Sequence, residues 1–153
     1  MSIADEVEAF LRGSARGGVD LTAADHGLSE DAIARELERR LQAYARYVTH
    51  RERQRPGDMW CGTRTMWGFR YRIEDPESDD QRRHEVLRYA REFAARSEAQ
   101  RRYFLGRVRG ELHSRHRLIC DCSPLLCHAQ VLAYWALTGR DPLKPAPDSG
   151  AHR

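Results

Sequence analysis

Three cysteines and a histidine fall within nine residues of the chain: Cys120-Asp121-Cys122-Ser123-Pro124-Leu125-Leu126-Cys127-His128. Two chemistries fit such a cluster. In one, the thiolates hold a metal, with zinc the natural choice at about 2.3 Å per sulfur. Its ligands would be Cys120, Cys122 and Cys127, with His128 as the fourth and His113 or His116 as substitutes. The spacing C-x-C-x4-C-H is not that of a zinc finger or ribbon. In the other, Cys127 is a catalytic nucleophile and His128 assists it. A proline turn places Cys127 and His128 in the first turn of a following helix. Free backbone N–H groups and the positive end of the helix dipole favour a thiolate there, so Cys127 is expected to be the most acidic thiol. The plain alternative is that small buried cysteines pack the core.

A second stretch is rich in aromatics, arginine and glycine: Met59-Trp60-Cys61-Gly62-Thr63-Arg64-Thr65-Met66-Trp67-Gly68-Phe69-Arg70-Tyr71. Gly62 and Gly68 would let the backbone turn close to a ligand. Arg64 and Arg70 could clamp a phosphate, and Trp67 could stack on a base or pack in the core. Cys61 reads as packing. The nucleobase deaminase pattern is excluded, because Pro124 is followed by Leu125 rather than a cysteine and His84-Glu85-Val86 does not supply the H-x-E. Walker, dinucleotide-binding and zincin motifs are also missing.

The elements that must position these residues follow from periodicity. Ile3, Val7, Phe10 and Leu11 suit a short amphipathic helix, followed by a Gly- and Ser-rich linker over 13–18. Ser29 caps a long helix over about 30–53, carrying Ile33, Leu37, Leu41, Tyr44 and Val48, and Pro56-Gly57 ends it. A strand leads into Cys61, and a second extended piece covers 69–73. Ser78 and Ser97 each open a capping box, so the helical pattern over 79–112 breaks near 96. Arg117–Cys120 is a short buried strand, and Leu126–Leu137 is an apolar helix stopped by Gly139. This order predicts a small, helix-rich α/β domain with a few-stranded parallel sheet flanked by helices. It divides into a helical extension over 1–57, a core over 58–140 and a disordered tail over 141–153. Ligands in such folds bind at the carboxyl ends of the strands, which places both motifs at one site.

Composition sets the bounds. The 153 residues suit one domain with its own core. No apolar run approaches a membrane span, and the acidic start, Met1-Ser2-Ile3-Ala4-Asp5-Glu6, does not resemble a signal peptide. A cytoplasmic protein is expected, in which clustered thiols stay reduced. Residues 1–50 hold 6 arginines against 9 acids, and residues 51–119 hold 17 arginines against 11 acids. The basic middle would suit phosphates, although a net charge of +3 is too mild to imply DNA binding.

Leu118-Ile119-Cys120-Asp121-Cys122-Ser123-Pro124, with Cys127-His128 and Val131-Leu132-Ala133, resembles the carboxyl-terminal signature of the domain-of-unknown-function family 4326. Cys61-Gly62-Thr63-Arg64 and Trp67-Gly68-Phe69-Arg70-Tyr71 are similar to that family's other signature, a glycine–arginine step followed by W-G-N-P-F. Here Phe69-Arg70 stands in place of Asn-Pro. The resemblance covers about 58–138 and implies a paired site without naming a reaction. The expectation is a protein that binds or processes a nucleotide or other phosphate-bearing ligand. The alternative is a zinc-stabilised, non-catalytic module that binds nucleic acid or a partner protein.

Overall fold

The computed structural model describes residues 18–22, 27–61, 78–123 and 125–145. Helix α1 spans Glu30–Leu41. Its start is dictated locally: the Ser29 hydroxyl accepts from the Ala32 amide at 3.1 Å, and Glu30 and Asp31 occupy the positive end of the helix dipole. Ile33, Leu37 and Leu41 form its buried stripe. The expected helix over 30–53 stops earlier than the spacing suggests. After Leu41 the chain tightens into a 3-10 turn, Gln42–Tyr47, and then extends as strand β1, Val48–Thr49. β-branched Val48 and Thr49, both buried, fit a pleated strand better than a helix, and pairing with Leu118 and Ile119 decides between them.

Strand β2 is Met59–Trp60, leading into Cys61 as expected, and β3 is Leu118–Ile119. The sheet is parallel, in the order β1-β3-β2. Its ladders run one residue further at the carboxyl end: the Cys120 amide donates to the Thr49 carbonyl, and the Cys61 amide to the Ile119 carbonyl, each at 2.9 Å. The turn between β1 and β2 contains Gly57 at φ +92°, a left-handed conformation that favours glycine, and an added Cβ there would push the His116 ring aside.

Helices α2, Asp79–Ala94, and α3, Glu98–His113, are separated by the break expected near 96, and Ser78 and Ser97 cap them. Helix α4, His128–Thr138, ends at Gly139 in the left-handed conformation. Helix α1 packs on α2 and α3 on α4, while α4 also meets α1, α2 and β3. That central position explains why α4 is apolar on nearly every side: Ala129, Val131, Leu132, Ala133 and Ala136 are all buried.

Val19, Leu21, Ile33 and Leu37 join the same core as Val131 and Leu132. Residues on both sides of a boundary at 57 thus share one core and one sheet. The helix expected over 3–12, the extended piece over 69–73 and most of the expected tail lie outside the described residues. No helix among the described residues is long and apolar enough to cross a membrane.

Candidate functional site

The middle strand β3 runs directly into the cysteine turn. The Ser123 amide donates to the Cys120 carbonyl at 3.2 Å, and the Leu125 amide to the Cys122 carbonyl at 2.8 Å, which folds the chain back towards α4. Cys127 is the N-cap residue of α4, in extended conformation. Its amide donates to Gln130 Oε1 at 3.0 Å, so a buried side chain one turn along holds the cap. His128 is the first helical residue and is fully buried.

The His128 Nε2 lies 2.6 Å from the Cys61 carbonyl oxygen. A carbonyl only accepts, so Nε2 carries the proton and donates. The ring also meets the buried Tyr89 edge-on, with centroids 5.1 Å apart. Burial holds the imidazole well below its usual range, at about 4, against a smaller opposing pull from the Cys61 carbonyl. His128 is therefore neutral near pH 7. It ties the end of β2 to the start of α4.

The sulfurs gather around Cys120. Its thiol is hydrogen-bonded to both Cys122 and Cys127. The bond with Cys122 pulls the Cys120 thiol down. The bond with Cys127, burial and the charge of Cys127 push it up, to about 12 overall. Cys122 is raised first by its hydrogen bond with Cys120 and then by burial, and the Arg82 guanidinium opposes both. Cys61 is raised to about 12, by burial first and by Cys120 second. All four cysteines are free thiols, and only Cys122 keeps appreciable solvent contact.

Three of the sequence-predicted residues, Cys120, Cys122 and Cys127, thus interact through Cys120, while His128 turns to the Cys61 carbonyl and the Tyr89 ring. Cys127, named from sequence as the reactive thiol, is fully buried, whereas Cys122 has a surface to react through. His113 and His116 lie on the amino-terminal side of β3, and His116 is engaged by Glu111 at 2.7 Å. Gly62, Arg64, Trp67, Gly68 and Arg70 lie outside the described residues. Cys61 and Arg82 are members that sequence reasoning missed. Cys61 was visible as a cysteine at a strand end, but nothing in the sequence pointed Arg82 at a thiol.

The soft donors suit zinc better than a hard cation. A metal would be held by Cys120 and its two thiol partners, with each thiol losing its proton on binding. Among the described residues the three sulfurs do not all lie mutually within 4.8 Å. The group that meets that measure, Asp31, Asp80 and His84, sits between the first turns of α1 and α2. There Asp31 is also paired with Arg35 at 3.1 Å.

A concavity of about 450 Å3 opens at the far end of α4 between Gly139 and α3. Its arginines are already committed. Arg101 donates to the Ala94 and Arg96 carbonyls, Arg109 to the Ala136 carbonyl, and Arg102 to Glu98. No cysteine is among the residues that line it.

The family model of the Domain of unknown function (DUF4326) matches residues 36–138, more than half of the chain. The chain belongs to this family. The match begins inside α1 and ends with α4, so it takes in all three strands and the whole thiol turn. No curated protein and no solved structure matches the chain.

Proposed function

We propose that the protein binds a small phosphate-bearing ligand of the nucleotide class at the carboxyl edge of its sheet. The Cys120–His128 turn forms the floor of that site, as a reactive centre or a metal holder. The observation that carries this reading is the hydrogen bond from His128 to the Cys61 carbonyl. It brings the cysteine turn against the residue that precedes Gly62, at the strand ends where parallel sheets bind ligands. The basic and aromatic composition of the following residues supplies groups for phosphate and base.

Within this site Cys122 is the thiol that meets solvent, and Arg82 is the cation that would stabilise its thiolate. His128 serves as a fixed strut rather than a base, because it is buried and its Nε2 proton is committed to Cys61. A second reading is favoured by the contacts of Cys120 with two other sulfurs: a structural zinc site in a module that binds nucleic acid or a partner protein.

The test is a thermal-shift screen of the full chain against nucleotides, nucleosides and sugar phosphates, with metal analysis of the same sample. A nucleotide that raises Tm for the wild type and not for Cys122→Ser supports the first reading. Absence of any shift across the screen overturns it. Stoichiometric zinc whose chelation unfolds the chain establishes the second. Alkylation followed residue by residue is expected to reach Cys122 well before Cys61, Cys120 or Cys127.

A further inference from the structure

Beside β1, and separate from the sulfurs, lies a polar cavity of about 340 Å3 whose lining includes Thr49, His50, Glu52, Arg53, Arg117 and Ser123. Its donors are poorly engaged. Arg117 Nε is buried and has no hydrogen-bond partner. The same guanidinium reaches the Arg53 carbonyl at 3.1 Å, and its nearest carboxylate, Asp58, is 3.8 Å away. Asp58 is already occupied, accepting from the Arg117 and Arg55 amides at 2.8 Å each. Arg53 has no carboxylate partner among the described residues. The Thr49 and Ser123 hydroxyls make only long contacts of 3.5 Å, to the His50 and Val48 carbonyls. His50 Nδ1 accepts from the Glu52 amide, which leaves Nε2 as the protonated nitrogen, 3.8 Å from Asp121. Glu52 is the one acid of the lining, and its carboxylate is largely in solvent.

Two guanidinium groups, two hydroxyls and an imidazole N–H around one cavity form a donor set faced by a single acid, Glu52, whose carboxylate lies largely in solvent. An oxyanion with several oxygens would satisfy the set. Ser123 belongs to the cysteine turn and Thr49 ends the strand beside it, so the cavity adjoins the thiol site. We infer that this cavity is the phosphoryl subsite of the ligand, with Arg117 as its principal anchor and Arg53, Thr49 and Ser123 as supporting donors. The inference rests on the ligand class proposed above and names where its phosphate binds.

The experiment titrates inorganic phosphate into the full chain at constant ionic strength, with chloride as the competing anion, and follows backbone amide shifts by NMR. Saturable shifts centred on Thr49, His50 and Ser123 are expected. Arg117→Gln should weaken phosphate binding by about tenfold or more and Arg53→Gln by a few-fold. Arg102→Gln, on the exposed face of α3 away from the cavity, should leave it unchanged. Arg53 is exposed and its replacement does not threaten folding, so it decides the matter if Arg117→Gln is unstable. Linear, non-saturating shifts, shifts centred elsewhere, or equal binding by both arginine variants overturn the subsite. Failure of the subsite is distinct from failure of the ligand reading: a nucleotide that still raises Tm in Arg117→Gln leaves the ligand class standing and moves its phosphate elsewhere.

Discussion

Arg40 and Arg117 are both drawn in from the surface, and they end in opposite conditions. Arg40 has every nitrogen in use. Its Nε donates to the buried Glu36 at 2.9 Å, Nη1 to the Pro142 carbonyl at 2.9 Å, and Nη2 to the Val19 carbonyl at 2.6 Å. Glu36 is completed by Arg39, at 2.6 and 2.9 Å. Arg117, by contrast, keeps a buried nitrogen without a partner and stands 3.8 Å from its nearest acid. A buried donor left unsatisfied costs free energy, so native chains rarely keep one without use. A saturated arginine is a fastener between segments distant in sequence. An unsaturated one, beside a polar cavity, is the anchor we propose for the phosphate of a ligand.

The sharpest way to break this contrast is to remove the acid from the saturated network. Glu36→Ala leaves Arg40 buried without its counter-charge, and a loss of about 3–5 kcal/mol is expected in denaturant unfolding. Next in size is the pH response of His128. Its folded pKa of about 4 lies below the ordinary value of 6.5, so between these limits the unfolded chain binds more protons. Stability from this group is complete above about pH 6.5 and is lost as pH falls towards 4, by an amount on the order of 3 kcal/mol. Unfolding free energies measured across that window, in wild type and His128→Gln, isolate the term. Arg117→Gln should change stability by about 1 kcal/mol or less, because few good bonds are lost with it. A loss as large as that of Glu36→Ala would show Arg117 to be a fastener too. The smallest effect is expected for Glu98→Gln, which breaks an exposed pair with Arg102 worth about 0.3–0.5 kcal/mol.

Much of the frame was legible in the sequence because it is set locally. Ser29, Ser78 and Ser97 cap three helices at the places their spacing foretells, and Gly139 stops the fourth. Strand β1 was not legible. Two residues carry no alternation, and Val48 falls four positions after Tyr44, so the helical rhythm of α1 continues through it by coincidence. The site divides along the same line. Cys120, Cys122, Cys127 and His128 announce themselves by proximity in sequence. Cys61, Arg82 and Arg117 enter through contacts between distant segments, which only the packed chain reveals. Glu36 looks like any surface acid of an amphipathic helix until residues 19 and 142 close over its partner.

The strand order β1-β3-β2 also bears on how the molecule is born. Both edge strands are translated first, and the strand that pairs with each of them arrives some sixty residues after β2. A nascent chain that has reached residue 117 can wind α1, α2 and α3, but among the described residues it has no strand for β1 or β2 to pair with. Emergence of Leu118 and Ile119 joins the sheet, and the next few residues complete the sulfur cluster. Long-range pairing of this kind is slow to form and leaves apolar edges waiting. Cys61 is therefore made well before its thiol neighbours, and it stays open to oxidants or metals until Cys120, Cys122 and Cys127 emerge and the chain closes over it.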